Sequence, residues 1–419
     1  MRPILLFALA LLTTGAAAAA GNSFAIRDVR VFDGDKVIAG ANVVVHDGRI
    51  TAAAANAHIP AGLPVVDGAG KTLLPGLIDS HVHVFPGAQK DALRFGVTTE
   101  LDMFDISRDF KAWRAQRQSL ARTDEADTWA AGLGATVAGG APLEMAPPGF
   151  KVATVTSVAD AKPFIDARVA EGSDYIKVFL EDLSEYDTPK RMPTLTRAEA
   201  CAVIAAAHAD GKLAIVHAQQ ESMAREAIDC GADGLAHIFP DRPADAGFVA
   251  LAKAHHIFVL TTDDIWAGVA GIGLAGKLAA DPRVAPFLSA MQKTTLLAKD
   301  KRVMPHWFDN ALATTRALHE AGVPILAGTD SPNPGSAHGV ALHEELQILV
   351  RAGFTPVEAL HAATALPDEI FHLGRRGRVA PGYRADLLLV NGDPTQHIAD
   401  TLSIVDIWKN GYAVDRAVH

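Results

Sequence analysis

The sequence is poor in the residues that define several protein classes. Only two of its 419 residues are cysteine, so neither a disulfide-rich scaffold nor a cysteine-built zinc site fits this chain. It has 38 lysine and arginine residues against 48 aspartate and glutamate residues, and the net charge of −10 argues against nucleic-acid binding. Hydrophobic residues make up 49% of the chain and charged residues 21%, which is typical of a globular protein.

The two cysteines leave a choice between a disulfide and two free thiols. Both lie in alanine-rich, helix-like segments that flank the fifth strand candidate. Cysteine outside a disulfide framework is usually buried and packs as a small apolar side chain. We therefore expect Cys201 and Cys230 to be buried free thiols, although an exported protein could pair them.

The first twenty residues have the layout of a secretory signal peptide. Arg2 precedes the apolar run 4–12, and small residues follow, with Ala18-x-Ala20 as a candidate cleavage site. The apolar run is far shorter than the roughly 20 residues that a membrane-spanning helix needs. We therefore expect residues 1–20 to be removed and the mature protein to be exported to a bacterial periplasm, or secreted, without membrane contact. An uncleaved anchor is the alternative.

Both ends of the remaining chain have the pattern of short β-strands. Runs rich in Val and Ile fill residues 21–74 and are broken by Asp-Gly pairs at 33–34 and 47–48. Residues 381–419 repeat this pattern, with a turn at 410–411. Since a lone hairpin is marginally stable, we expect the two ends to pair into one small β-sandwich domain.

Residues 75–380 alternate between strand-like and helix-like segments. Two helix starts carry capping boxes, Thr196 with Glu199 and Thr355 with Glu358. Eight strands are the number that a (β/α)8 barrel of the TIM type needs. The sequence therefore predicts an α/β fold with a barrel beside the composite β-sandwich. The eight strand candidates are 73–83, 95–103, 127–137, 174–182, 212–219, 231–239, 257–264 and 323–331.

Potential metal ligands lie at the carboxyl ends of these strand candidates. His81 and His83 share one strand, and alternation along that strand sends both imidazoles to the same face. The carboxyl ends of barrel strands meet at one mouth, so residues at these ends converge. Without a cysteine cluster, a metal site must use histidine and carboxylate donors. The six predicted ligands are His81, His83, Lys177, His217, His237 and Asp330.

The type and order of these ligands resemble those of the amidohydrolase superfamily of metal-dependent hydrolases. The resemblance extends over the mature chain, from "VVVHDGRI" and "PGLIDSHVH" to "APGYRADLLLVNGDP" and "IVDIWKNGYAVD". Within the superfamily the chain is most similar to the imidazolonepropionase-like and prolidase-like (Xaa-Pro, Xaa-Arg dipeptidase) branch. The motifs "GVTTELDM", "AHADGKLAIVHA" and "HGVALHEELQILVRAGFTPVEALHAAT" carry that similarity.

The resemblance implies a site with two divalent ions. A cationic Lys177 beside metal ions would be repelled, whereas a lysine carboxylated by carbon dioxide supplies an anionic carbamate that can bridge two ions. Zinc suits such donors, and manganese, cobalt and iron are admissible. An ordinary salt bridge is the alternative role for Lys177. The implied ligand sets are His81, His83, Asp330 and the carbamate for one ion, and the carbamate, His217 and His237 for the other.

Such a site predicts hydrolysis of a small-molecule substrate. Two ions would hold a bridging hydroxide and polarise a carbonyl, while Asp330 moves the proton to the leaving group. We expect cleavage of an amide bond in a dipeptide or an N-acyl amino acid. A lactone, an ester or a cyclic amide would fit the same site.

Two other classes of function compete with this prediction. A mononuclear deaminase-type relative would lack the lysine and carry Glu three residues after the strand-five histidine, where this chain has Gln220, with Glu221 one residue later. A non-enzymatic scaffold would have lost ligands, and none is lost. A homo-oligomer is compatible with the sequence.

Further polar residues are candidates for substrate contact. His338 follows the last strand candidate and is expected behind the ligands or against the substrate, with a solvent-exposed loop position as the alternative. Acidic residues are expected to ring the mouth, where they would bind a substrate's amino group or form a solvated rim. These are Glu181, Asp182, Glu185, Asp187, Asp263 and Asp264.

Overall fold

The computed structural model describes most of the chain. Within that part, no helix is long and apolar enough to cross a membrane. The predicted signal peptide lies outside the described residues and stays a prediction. The described ranges are 21–105, 110–143, 151–186, 191–301 and 303–418.

Strands from both ends of the chain form one eight-stranded sheet. The first five, in chain order, are β1 (Phe24–Phe32), β2 (Val37–His46), β3 (Arg49–Ala54), β4 (Val65–Asp67) and β5 (Lys71–Pro75). The last three are β14 (Leu387–Asn391), β15 (Ile404–Lys409) and β16 (Tyr412–Ala413).

Strand β5 joins the two ends, because it pairs in parallel with β1 and antiparallel with β14. Phe24 stacks on Trp408 with ring centroids 5.0 Å apart, so both ends also share one apolar core. The pairing agrees with the predicted fold, while the domain bounds 21–74, 75–380 and 381–419 stay predictions.

Two tight turns of this sheet follow from the sequence. Asp47 and Gly48 have φ values of 49° and 74°, and Asn410 and Gly411 have φ values of 54° and 79°. Two successive positive φ values are characteristic of the type I′ hairpin turn, which Asp-Gly and Asn-Gly favour. A Cβ atom on Gly48 would lie 2.6 Å from the Asn410 carbonyl oxygen, so the two turns need glycine where they meet.

The eight predicted barrel strands are all present and parallel. Three form one sheet and five form another. The first sheet contains β6 (Leu77–Val82), β7 (Val97–Asp102) and β8 (Asp127–Ala130). The second contains β9 (Ile176–Phe179), β10 (Ala214–His217), β11 (Gly234–Ala236), β12 (Phe258–Thr261) and β13 (Ile325–Ala327).

Short parallel bridges join the two sheets on both sides. Ala135 pairs with Val178 beside β9, and Val82 of β6 pairs with Ser331 beyond β13. The Asp330 N–H also donates to the His81 carbonyl at 2.7 Å. These contacts close the eight strands into a ring, as the predicted (β/α)8 barrel requires.

The helices pack outside the barrel strands and begin where the sequence predicts starts. Thr196 and Thr355 each accept from the N–H of the glutamate three residues on, completing both predicted capping boxes. The helices up to the one that follows β12 are α1 (Ala88–Arg94), α2 (Phe110–Gln118), α3 (Ala161–Glu171), α4 (Arg197–Ala209), α5 (Glu221–Asp229), α6 (Ala246–Ala254) and α7 (Asp263–Val269). They are followed by α8 (Leu274–Ala280), α9 (Ala290–Leu297), α10 (Trp307–Glu320), α11 (Val340–Arg351), α12 (Pro356–Ala362) and α13 (Ala365–Phe371).

The two cysteines form a disulfide, so the prediction of free thiols is wrong. Cys201 lies on α4 and Cys230 directly follows α5, and their Cα atoms are 4.6 Å apart. That separation is within the range that a disulfide spans. The sequence did not reveal the pairing, because it depends on how the two neighbouring helices align against the barrel.

A buried group of charges joins the terminal sheet to the barrel. It lies at the amino ends of the barrel strands, opposite the predicted ligands. The Lys409 ammonium at the end of β15 lies 2.7 Å from both Asp127 and Asp386. Arg376 donates to the same Asp127 oxygen at 2.6 Å. Lys409 and Asp127 are 0% and 1% exposed, so neither charge is screened by water. Two cations therefore balance two carboxylates inside the protein.

Replacement of Lys409 should destabilise the fold strongly. Lys409→Met keeps the length of the side chain but leaves Asp127 and Asp386 buried without a full complement of cations, which costs about 3–5 kcal/mol. Urea unfolding of the metal-free protein, followed by circular dichroism, measures this loss. Lys71→Met is the control, since its ammonium donates an exposed hydrogen bond to the Asp67 carbonyl, and it should change stability by less than about 0.5 kcal/mol. Equal midpoints for both variants and the wild type would contradict this account.

Candidate metal centre and active-site cavity

The predicted ligands converge because each lies in a barrel strand or just after its carboxyl end, on the side that faces the barrel interior. On β9, Ile176 and Val178 pack in the cluster that includes the surrounding helices, whereas Lys177 points to the opposite face. His217 is the last residue of β10, and His237 directly follows β11. All six predicted residues therefore lie at one mouth of the barrel.

Two of the histidines lie next to one carboxylate oxygen of Asp330. Asp330 Oδ1 lies 2.9 Å from His83 Nε2 and 3.4 Å from His81 Nε2. This oxygen is buried and has no hydrogen-bond partner among the described residues. Donor atoms of His81, His237 and Asp330 all lie within 4.8 Å of one another.

The other donors continue this cluster. Lys177 Nζ lies 3.5 Å from His81 Nε2. The His237 ring centroid lies 4.6 Å from the centroids of both His81 and His217. A tetrahedral ion with bonds of about 2.1 Å places its ligands roughly 3.4 Å apart, so the spacing of the donor atoms fits zinc-sized ions.

Burial keeps the imidazoles neutral, which a metal ligand requires. Burial, followed by the charge of Lys177, holds the pKa of His81 well below its usual value. Burial likewise lowers the pKa of His237, and it lowers the pKa of His217 to about 3. The ring nitrogens therefore keep free electron pairs at neutral pH.

Lys177 is also far from its ordinary protonation state. Burial lowers the pKa of its ammonium to about 7, although Asp330 and Asp102 oppose this change. Near pH 7, a large share of the Lys177 amine is therefore uncharged. An uncharged amine is the form that can react with carbon dioxide.

Polar side chains behind the donors fix their orientation. Thr262 lies 2.8 Å from His237 Nδ1, which leaves Nε2 of that ring for a metal. His237 and Asp330 both have left-handed backbones, with φ values of 80° and 51°. Non-glycine residues in this region are strained, and such strain is concentrated at functional sites.

His338 lies behind His83 and not on the cavity wall. It is 1% exposed, with Nδ1 2.5 Å from Glu100 Oε1 and Nε2 3.2 Å from the His83 carbonyl. Since both ring nitrogens face acceptors, the ring must carry two protons. Burial opposes this charge, but Glu100 outweighs it and raises the pKa of His338. The sequence-based role as a substrate contact stays a prediction, and this position leaves it no exposed surface.

A cavity of about 850 Å³ opens over the donors, which line one part of it. Its other walls are mostly apolar and aromatic, and Trp266 of α7 lies 6.1 Å from His237 between ring centroids. Large apolar pockets with a few polar groups are typical of small-molecule sites. The apolar lining includes Phe85, Phe104, Phe179, Leu183, Tyr186, Met192, Ile265 and Val269.

The expected ring of acidic residues forms only in part. Asp263 and Asp264 are 0% and 2% exposed and do not surround the mouth. They begin α7, where their N–H groups donate to Glu345 of α11, and the Asp263 carboxylate accepts from the Thr315 hydroxyl of α10. On the opposite side, the carboxylates of Glu181, Asp182 and Glu185 do cluster. Asp187 lies outside the described residues.

Three supporting residues were not predicted from the sequence. Asp79 and Glu100 are completely buried, and each lies within a barrel strand whose residues are all buried. A charged residue within a buried strand is the signal that could have identified them. Thr262 follows Thr261 in an ordinary β-rich segment and gave no such signal.

Comparisons with known proteins identify relatives that cover most of this chain. An imidazolonepropionase of Mycolicibacterium smegmatis is 25% identical over 396 residues, covering 87% of this chain and 87% of that protein. A solved Xaa-Pro dipeptidase with bound methionine in the active site has a TM-score of 0.72 at 21% identity, covering 94% of this chain and 100% of that chain. A putative prolidase from Bifidobacterium longum also has a TM-score of 0.72, at 23% identity, covering 94% and 95% of the two chains.

A model of one protein family, described as the amidohydrolase family, matches residues 72–414, which include the barrel and the C-terminal strands of the terminal sheet. The structural neighbours share the fold. The predicted superfamily, its imidazolonepropionase- and prolidase-like branch and the enzyme class are confirmed: this is a metal-dependent hydrolase that acts on C–N bonds. The chain belongs to the amidohydrolase family.

Proposed function

We propose that this enzyme uses two divalent ions, with zinc as the best-suited metal, to cleave an amide bond in a dipeptide or an N-acyl amino acid. The observation that carries the proposal is the convergence of six donor side chains beneath an apolar cavity. His81, His83 and Asp330 would hold one ion, and His217 and His237 would hold the other.

Lys177 would complete both positions as a carbamate. Its amine nitrogen forms a bond to the carbon of carbon dioxide and loses one proton, which leaves an anionic side chain with two oxygen donors. Two observations support this role: the Lys177 side chain is 1% exposed, and burial lowers its pKa to about 7. A protonated ammonium at the same place would repel metal ions.

When bound, the ions would activate a water molecule and polarise the substrate carbonyl. Asp330 accepts the proton that the water loses and transfers it to the leaving nitrogen. The position of Asp330 supports this role, because its carboxylate is next to His81 and His83 and its Oδ1 atom has no hydrogen-bond partner among the described residues. The apolar walls exclude bulk water and accommodate a large apolar group of the substrate.

A cyclic amide is the second candidate substrate. Relatives named imidazolonepropionase align over most of this chain, including one from Nocardia farcinica at 26% identity over 409 residues. Two residues argue against a mononuclear site of the deaminase type. Lys177 lies within the donor cluster, and Gln220 occupies the position at which such a site needs a glutamate. Gln220 instead donates to Asp182 and Glu185 at 2.7 Å.

We also propose that the protein is exported. The predicted signal peptide motivates this, and the Cys201–Cys230 disulfide supports it, because disulfides persist in oxidising compartments. Protein recovered from the periplasm, with a mass that corresponds to a chain starting near residue 21, would agree with export. A full-length cytoplasmic product would contradict it. Assembly into a homo-oligomer also stays a proposal, to be measured by light scattering.

The proposed activity requires two ions and an amide substrate. Zinc-loaded protein, reconstituted with bicarbonate, should contain two ions per chain by mass spectrometry and should hydrolyse dipeptides or N-acyl amino acids with large apolar side chains. Lactones, aryl esters and cyclic amides complete the substrate panel. Fewer than two ions per chain would overturn the two-metal site. Turnover of lactones or esters alone would overturn the amide assignment.

Asp330→Asn should remove proton transfer while the fold is kept. Asparagine is nearly isosteric but cannot take up the proton, so kcat should fall on the order of 10²–10⁴-fold, with bound metal largely retained. Steady-state kinetics and metal analysis on the same preparation measure both effects. Asp245→Asn is the control, because Asp245 caps α6 at the surface and asparagine is an equally good cap. Near-full activity of Asp330→Asn would assign the base to another residue.

His338 should act on the metal centre through His83. Its removal leaves Glu100 buried without a partner and frees the His83 backbone, so His338→Ala should weaken metal binding roughly 10–100-fold. Chelator competition measures this change, and KM at saturating metal should stay nearly constant. His338→Gln retains hydrogen-bonding capacity and should restore part of the affinity. Unchanged metal affinity with a raised KM would instead indicate substrate contact.

A further inference from the structure

Glu181 places a buried carboxylate beside the predicted metal centre. It lies two residues after β9, is 2% exposed and lines the cavity. Its Oε1 atom accepts the Leu183 N–H at 2.6 Å. Its Oε2 atom has no hydrogen-bond donor in the described chain and lies 3.6 Å from His217 Nε2.

Among the described residues, no lysine or arginine forms an ion pair with Glu181. Asp182 and Glu185 both accept from Gln220, and Asp182 also pairs with Arg191 at 2.8 Å. Glu185 lies against Glu181, so these two carboxyl groups can share a proton but provide no cation. A buried carboxylate requires a positive partner or a proton.

The distance to His217 is that expected between two ligands of one ion. Zinc–nitrogen and zinc–oxygen bonds of about 2.1 Å place neighbouring ligands roughly 3.4 Å apart. The His217–Glu181 separation of 3.6 Å is close to this value and to the 3.4 Å between His81 and Asp330. The Glu181 carboxylate and the His217 ring are therefore at a separation that two ligands of one ion can have.

We infer that Glu181 is a further ligand of the metal position formed by His217 and His237. The inference rests on the proposed two-metal function. Two divalent ions carry four positive charges, whereas Asp330 and a Lys177 carbamate supply only two negative charges. Glu181 adds a third anionic donor on the side of the site that otherwise has only imidazoles and the carbamate.

The binding constant of the second ion tests this role in the full mature protein. Glu181→Gln should raise the dissociation constant of the weaker zinc ion on the order of 100-fold, because an anionic oxygen donor is lost. Glu185→Gln is the matched control, since it makes the same substitution in the same cluster, on a side chain that contacts Gln220 and Glu181. It should change the constant several-fold at most. The measurement is zinc competition with a chromophoric chelator, and circular dichroism checks the fold of each variant.

Cobalt supplies a second readout that does not depend on activity. The visible absorption of the cobalt-loaded protein reports the ligands of each ion, so it should change in Glu181→Gln and stay unchanged in Glu185→Gln. Glu181→Asp, which withdraws the carboxylate by one methylene, should give an intermediate zinc affinity.

The possible failures are distinguishable. Wild-type protein that binds fewer than two ions overturns the proposed function itself. Wild-type protein with two ions, together with unchanged zinc affinity in Glu181→Gln, overturns only the role of Glu181. Equal losses in Glu181→Gln and Glu185→Gln would assign the effect to the charge of the cluster and overturn ligation. Unchanged metal binding with a raised KM only for substrates that carry a free amino group would make Glu181 a site for the substrate's ammonium.

Discussion

The site depends on the seam where the last barrel strand closes on the first. The Asp330 N–H donates to the His81 carbonyl at 2.7 Å, which ties two donor residues together through their backbones. Beneath them, the buried Asp79 carboxylate accepts from both the N–H and the hydroxyl of Thr329, at 3.1 and 2.8 Å. The spacing between His81 and Asp330 is therefore set by the closure of the barrel. A ligand set with tolerances of a few tenths of an ångström needs such support.

This arrangement lowers the stability of the fold locally. The left-handed backbones of His237 and Asp330 each cost about 1–3 kcal/mol. Backbone bonds hold them in place: the His237 N–H, for example, donates to the Leu260 carbonyl at 3.0 Å. Burial of Lys177 and the histidines costs further free energy unless ions or a changed protonation state compensate for it. The large parallel barrel supplies the stability that a preorganised, strained site needs.

The sequence predicted the elements whose signal is local. Apolar runs marked all eight strands, and a polar donor at the end of a run marked each ligand, because both follow from the geometry of a single strand. The Cys201–Cys230 disulfide and the inward turn of Asp263 were missed, because they depend on how separate helices align. The burial of His338 beside Glu100 likewise arises from residues 238 positions apart in the chain. Contacts of that kind have no signal in one sequence.

The acidic composition of the chain overstates its negative charge at neutral pH. The formal charge of −10 counts every carboxyl as ionised. Burial, however, raises the pKa of Asp102 and Glu344 to about 8, and it raises the pKa of Asp264 and Glu345 still further from their usual range. At neutral pH these buried groups therefore hold protons and contribute little charge. The total charge is therefore a weak indication of a cationic substrate. The apolar walls above the donors are the stronger indication of what the cavity accepts.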